Sequence, residues 1–91
     1  MDFSNKTALI TGSGQGVGEG IARALASYGA NVCLVGRTLS KVESVASEIN
    51  REGGSAIAFE CDVKSNESIN HSIEASLSKF NSLNILVNNA Q

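Results

Sequence analysis

Proline and tryptophan are absent from this 91-residue chain, and it has one methionine, one tyrosine, one histidine and two cysteines. With no proline and no linker-like run longer than Glu52-Gly53-Gly54-Ser55, nothing divides the chain. Residues 1–91 therefore read as part of one soluble domain, since single domains usually hold roughly 100–150 residues. Cys33 and Cys61 are too few for a disulfide scaffold and lack the spacing of a metal knuckle or redox pair, so they read as buried, reduced thiols. Long apolar runs are missing too. The longest, Val32 to Val35 and Ala56 to Phe59, are four residues each, far below the roughly 20 needed to span a bilayer. Met1 to Lys6 lacks the charged and apolar regions of a secretory signal, and a cytoplasmic location is expected. Seven Lys+Arg against nine Asp+Glu give a net charge of −2 with no basic stripe, which argues against nucleic-acid binding.

What is present is an alternation of short apolar stretches with helix-period stretches, the pattern of βαβ units and a parallel sheet. Thr7 to Thr11 is the first predicted strand and runs straight into a glycine cluster, Gly12, Gly14, Gly16 and Gly18. Val17, Ile21 and Leu25, with Ala22 and Ala26 beside them, make one apolar helical face that Gly29 ends. Asn31 to Val35 is a near-continuous apolar run, as expected of a strand covered on both faces. Ser40-Lys41-Val42-Glu43 has the form of a capping box, which places the start of the second helix there. Val42, Val45, Ala46 and Ile49 form its inner stripe, and Gly53-Gly54 its left-handed cap. Ala56 to Phe59 with Cys61 reads as the third strand. Ile69, Ile73, Leu77 and Phe80 form the stripe of a third helix, capped by Ser65 or Asn66, and Asn84 to Asn88 is the fourth strand. The fold class is α/β, β-α-β-α-β-α-β. Right-handed crossovers place the strands in the order 3-2-1-4 of a Rossmann-type doubly wound parallel sheet.

A glycine-rich turn between a first strand and a first helix lets a pyrophosphate reach the backbone, because the amides opening the helix point outward with positive partial charge. The strict G-x-G-x-x-G spacing fails in every frame; the chain has Thr11-Gly12-Ser13-Gly14-Gln15-Gly16-Val17-Gly18 instead. This segment resembles the T-G-x-x-x-G-x-G motif of the short-chain dehydrogenase/reductase family, with Thr11, Gly12, Gly16 and Gly18 in the motif places. Asp62-Val63 stands where that family has an acidic residue near the adenine. Asn88-Asn89-Ala90 is similar to its N-N-A-G, with Gln91 where glycine is expected. The resemblance covers the whole chain, which is similar to 3-oxoacyl-acyl-carrier-protein reductase-like members. It implies oxidation of alcohols or reduction of carbonyls with NAD(P)(H). By position it puts Gly12, Ser13, Gly14, Gln15, Gly16 and Gly18 at the diphosphate turn, Asp62 and Val63 at the adenine, and Asn89 at the ribose.

Cofactor choice follows from charge. An acid about 20 residues past the turn would bind a ribose 2′-hydroxyl and repel a 2′-phosphate. None is there; the second strand ends Gly36-Arg37-Thr38, and the Arg37 guanidinium suits a 2′-phosphate, so NADP is expected over NAD. Gln15 is neutral where many NADP-preferring relatives have a second basic residue, which makes the expected preference moderate. No catalytic or metal residues are expected. The family's tyrosine stands four residues before a lysine, whereas the residue four after Tyr28 is Val32. Tyr28 reads as packing, and His71, Glu19, Glu48 and Glu52 as solvent-facing. The expected protein is the N-terminal, cofactor-binding part of a longer oxidoreductase whose carbonyl or alcohol substrate binds elsewhere. A non-catalytic NADP(H)-binding module and a structural fragment that pairs or self-associates through an exposed fourth strand are the alternatives.

Overall fold

The computed structural model describes residues 2–62 and 64–89; the expectation about Val63 lies outside the described residues, as do Ala90 and Gln91. In chain order the elements are β1 (Thr7–Thr11), α1 (Gly16–Ser27), β2 (Asn31–Gly36), α2 (Leu39–Arg51), β3 (Ser55–Glu60), α3 (Asn66–Phe80) and β4 (Ile85–Val87). The strands form one parallel sheet in the expected order, β3-β2-β1-β4.

Alternation along the strands sends side chains to two cores. Ala8, Ile10, Val32, Leu34 and Ala56 face α1 and α2, meeting Ala22, Val42, Val45, Ala46 and Ile49. Leu9, Cys33 and Val35 face the other way, against Ile69, Ile73 and Phe80 of α3. The strands are thus covered on both faces, which is why their sequences run apolar without a polar interval. Glycines with positive φ end two helices, Gly29 at 98° and Gly53 at 96°. Tyr28 packs edge-on against Phe3, with ring centroids 6.2 Å apart, as its packing role requires.

Three local expectations are corrected. The capping box at Ser40 does not form: α2 begins at Leu39, with Thr38 as N-cap and no side-chain cap bond. The helix enters earlier because Val42 must reach Gly36 and Gly14, against which its Cγ1 is tightly seated. In α3 the face seated most deeply is Ser72 and Ser76, while Leu77 is 43% exposed. Both serine hydroxyls donate to the carbonyl four residues back, at 3.1 and 2.8 Å, so they bury without loss and let the helix sit close to the sheet. The Ser65 cap holds, its side chain accepting from the Ser68 amide. Val17, assigned to the inner face of α1, is 71% exposed, leaving Gly18 and Ala22 innermost.

Glu48 and Glu52 are exposed, as expected, while Glu19 is half-buried. All three gather around Arg23, whose Nε donates to Glu19 at 2.8 Å and whose NH2 donates to Glu48; Glu52 lies 3.7 Å away. This network ties α1 to α2, and the two bonded carboxylates hold the guanidinium firmly protonated. His71 is exposed.

Candidate functional site

The carboxyl ends of β1, β2 and β4 lie side by side, and the chain beyond each forms one wall of a site. After β1 it turns sharply. Gly16 has φ +62° and open space where a Cβ would stand, so the turn passes through the left-handed region that glycine adopts at least cost. Gly18 is glycine for a different reason: a Cβ there would lie 2.2 Å from the Gly12 carbonyl oxygen and 2.7 Å from Asn89 Nδ2. The first turn of α1 can therefore press directly onto the end of β1.

Thr11 and Asn89 fasten the β4 side. The Thr11 hydroxyl accepts from the Asn89 amide at 2.8 Å and donates to the Val87 carbonyl at 3.3 Å, and Asn89 Nδ2 donates to the Gly12 carbonyl at 3.3 Å. On the other side the buried Ser13 hydroxyl donates to the Ile10 carbonyl at 3.0 Å, and the Ser13 amide donates to the Val35 carbonyl. The turn is bonded to both neighbouring strands before any ligand arrives.

These walls enclose an open hollow of about 470 Å³ lined by Gly12, Gly14, Gln15, Gly16, Val17, Gly36, Arg37, Thr38, Lys41, Val42, Cys61 and Asn89. Gln15 is the N-cap of α1 in an extended conformation and makes no side-chain cap bond, so the amides opening the helix are left to a ligand. A larger groove, about 900 Å³, follows the outer edge of β3 between α2 and α3. It is the more open of the two and has no glycine turn or uncapped helix start, so the chemistry points to the smaller hollow.

The residues expected at the site separate into two groups. Gly12, Gly14, Gln15, Gly16, Arg37 and Asn89 line one hollow. Ser13 and Gly18 do not: the Ser13 hydroxyl is turned into the core, and Gly18 is the buried contact between α1 and β1, so both shape the turn from behind. Asp62 falls one residue outside the lining, which takes Cys61 instead. The Asp62 carboxylate accepts the Lys64 amide at 2.9 Å, and its own amide donates to Ser68, bonds that shape the entry to α3. Sequence reasoning missed Lys41, whose Nζ donates to Gln15 Oε1 at 2.9 Å across the hollow. The signal was the true helix start: with Thr38 as N-cap, Lys41 falls in the first turn of α2 and faces back toward the glycines.

A family model described as short chain dehydrogenase matches residues 6–91. The short-chain dehydrogenase/reductase homolog YusS of Bacillus subtilis is 37% identical over 91 residues, covering 99% of this chain and 84% of that protein. A crystal structure of hydroxysteroid dehydrogenase from Escherichia coli superposes with a TM-score of 0.96 at 36% identity, over 99% of this chain and 38% of that one. A metagenomic short-chain oxidoreductase, solved in complex with NADP, superposes with a TM-score of 0.90 at 36% identity, over 97% of this chain and 40% of that one. Further curated relatives are matched over 30–35% of their length. The chain thus spans about a third of most of the relatives it matches.

Proposed function

Because the chain belongs to the short-chain dehydrogenase/reductase family, we propose that it is the cofactor-binding half of an NADP(H)-dependent oxidoreductase acting on a carbonyl or alcohol. The observation that carries this reading is the hollow at the glycine turn, where uncapped helix amides and an arginine meet with no carboxylate among the described lining residues. The donor set fits the cofactor. The amides opening α1 suit the diphosphate, and Gly16 leaves open space where a side chain would stand. Arg37, past the end of β2, suits a 2′-phosphate through charge-assisted hydrogen bonds. When bound, the dinucleotide supplies or accepts the hydride; the residues of this chain bind and orient its diphosphate and adenosine end.

The sheet supports the half-domain reading. β4 lies at the edge with its outer side unpaired among the described residues, and Leu86 is 60% exposed. In a longer chain that edge is where the next strand would pair. A non-catalytic NADP(H)-binding module is the second reading, favoured by the YusS relative, of which this chain covers 84%. The two separate on the coding sequence: a serine followed by Tyr-x-x-x-Lys downstream of Asn89 belongs to the first alone.

The binding claim common to both is tested by thermal-shift titration with NADPH and NADH. NADPH at 100 times its dissociation constant is expected to stabilise the fold by about 2.7 kcal/mol, and NADH at the same concentration by less. Arg37→Asp should reduce the NADPH shift selectively. No shift with either cofactor contradicts the reading, and equal loss of both in the variant shows that Arg37 does not read the 2′-phosphate.

A further inference from the structure

Cations in this chain are treated in two ways. Arg23 is surrounded by Glu19, Glu48 and Glu52. Arg37 and Lys41 line one hollow and form no ion pair among the described residues, and no carboxylate lines that hollow with them. In a protein of net charge −2, two uncompensated cations beside one cavity leave room for a dianion. The Lys41 stem is also held in place. A Cβ at Gly14 would stand 2.9 Å from Lys41 Cβ, so the first turn of α2 is seated against the glycine turn and fixes where the side chain starts.

The far end of that side chain is held by Gln15, whose Oε1 accepts from Lys41 Nζ at 2.9 Å. A neutral acceptor positions an ammonium without cancelling its charge, which a carboxylate at the same place would do. The ammonium has three donors; one is taken by Gln15, and two remain for phosphate oxygens. Thr38 adds to the same corner: it caps α2 without a side-chain bond, leaving its hydroxyl and the positive end of the helix toward the hollow.

From this arrangement we infer that Lys41 is a second phosphate-binding cation beside Arg37, that Gln15 positions it, and that the pair selects a ribose phosphomonoester dianion. The inference rests on the reading of the hollow as an NADP(H) site. It adds that discrimination against NADH is shared between the end of β2 and the first turn of α2. It also gives the neutral residue in the glycine turn a role: Gln15 supplies no charge of its own but aims a lysine that does.

The test is calorimetric titration of the chain with NADPH and NADH, repeated with adenosine 2′,5′-bisphosphate and AMP, for the native protein and the variants Lys41→Met, Lys41→Arg, Gln15→Glu and Arg37→Met. Lys41→Met keeps the apolar stem and removes the charge. It is expected to weaken NADPH and the bisphosphate about tenfold while leaving NADH and AMP within about twofold. Lys41→Arg should retain most of the affinity. Gln15→Glu, which turns the tie into an ion pair, should give a smaller loss confined to the 2′-phosphorylated ligands. Equal weakening of both dinucleotides by Lys41→Met, or no change in either, overturns the inference. If Arg37→Met loses NADPH selectively and Lys41→Met does not, this inference alone fails; if the native chain shows no preference for NADPH, the reading beneath it fails as well.

Discussion

Glycines of the same helix have opposite reasons for being glycine, and a single methyl group separates them. At Gly18 the added carbon would lie 2.2 Å from the Gly12 carbonyl oxygen, a backbone atom that cannot swing aside. At Gly20, two residues further along α1, nothing lies within 4 Å. Gly18→Ala is therefore expected to lower stability by about 1–3 kcal/mol through overpacking. Gly20→Ala should raise it by about 0.5–1 kcal/mol, because alanine loses less backbone entropy in a helix. Paired thermal melts check both, and a Gly18→Ala protein as stable as the native one would contradict the close packing of α1 on β1. The motif glycines were legible in the sequence as a group, but their separate duties were not. Spacing does not tell a residue that lines the hollow, such as Gly16, from one that faces the Gly12 carbonyl. Ser13 shows the same limit: its place in the turn was plain, and its inward rotamer is set by the Ile10 and Val35 carbonyls, which no local pattern reveals.

Among the elements, the strands and the inner stripe of α2 were the most readable, because Val42, Val45, Ala46 and Ile49 follow the helical period and are all buried. The start of α2 and the seat of α3 were not. A serine and a glutamate three apart signal a cap only if tertiary packing leaves the helix start free, and here Val42 against Gly36 fixes it earlier. In α3 the apolar residues flank the contact, and small hydroxyls sit at its centre, so a hydrophobic pattern points slightly off the true face. Ser76 is fully buried; its hydroxyl donates to the Ser72 carbonyl at 2.8 Å and also meets the Cys33 thiol of the sheet. Ser76→Ala is expected to change stability by less than about 1 kcal/mol, since donor and local bond are removed together. Ser76→Leu should cost about 1–3 kcal/mol by pushing α3 off Cys33 and its neighbours. Chemical denaturation of the two variants checks this, and a tolerated leucine would show that the helix does not sit where it is described.

For the molecule as a whole, the parallel order 3-2-1-4 follows from alternating elements and the handedness of their crossovers, so the fold was legible in the sequence. The site was readable in part. The glycine turn, Arg37 and Asn89 were named from spacing and resemblance, and all of them meet at one hollow. Lys41 was hidden because its bond to Gln15 joins two elements far apart in the chain, and Asp62 stands beside the lining of the hollow, its amide bonded to Ser68. Two concavities compete for a ligand in this molecule: the hollow at the strand ends and the groove along β3. Backbone amide NMR of the isotopically labelled chain during NADPH titration decides between them. The expected result is saturable shifts concentrated at Gly14, Gln15, Gly16, Val17, Arg37 and Asn89; shifts confined to the groove residues Ala56 to Phe59 and Ala75 to Lys79, or none at all, would contradict the account.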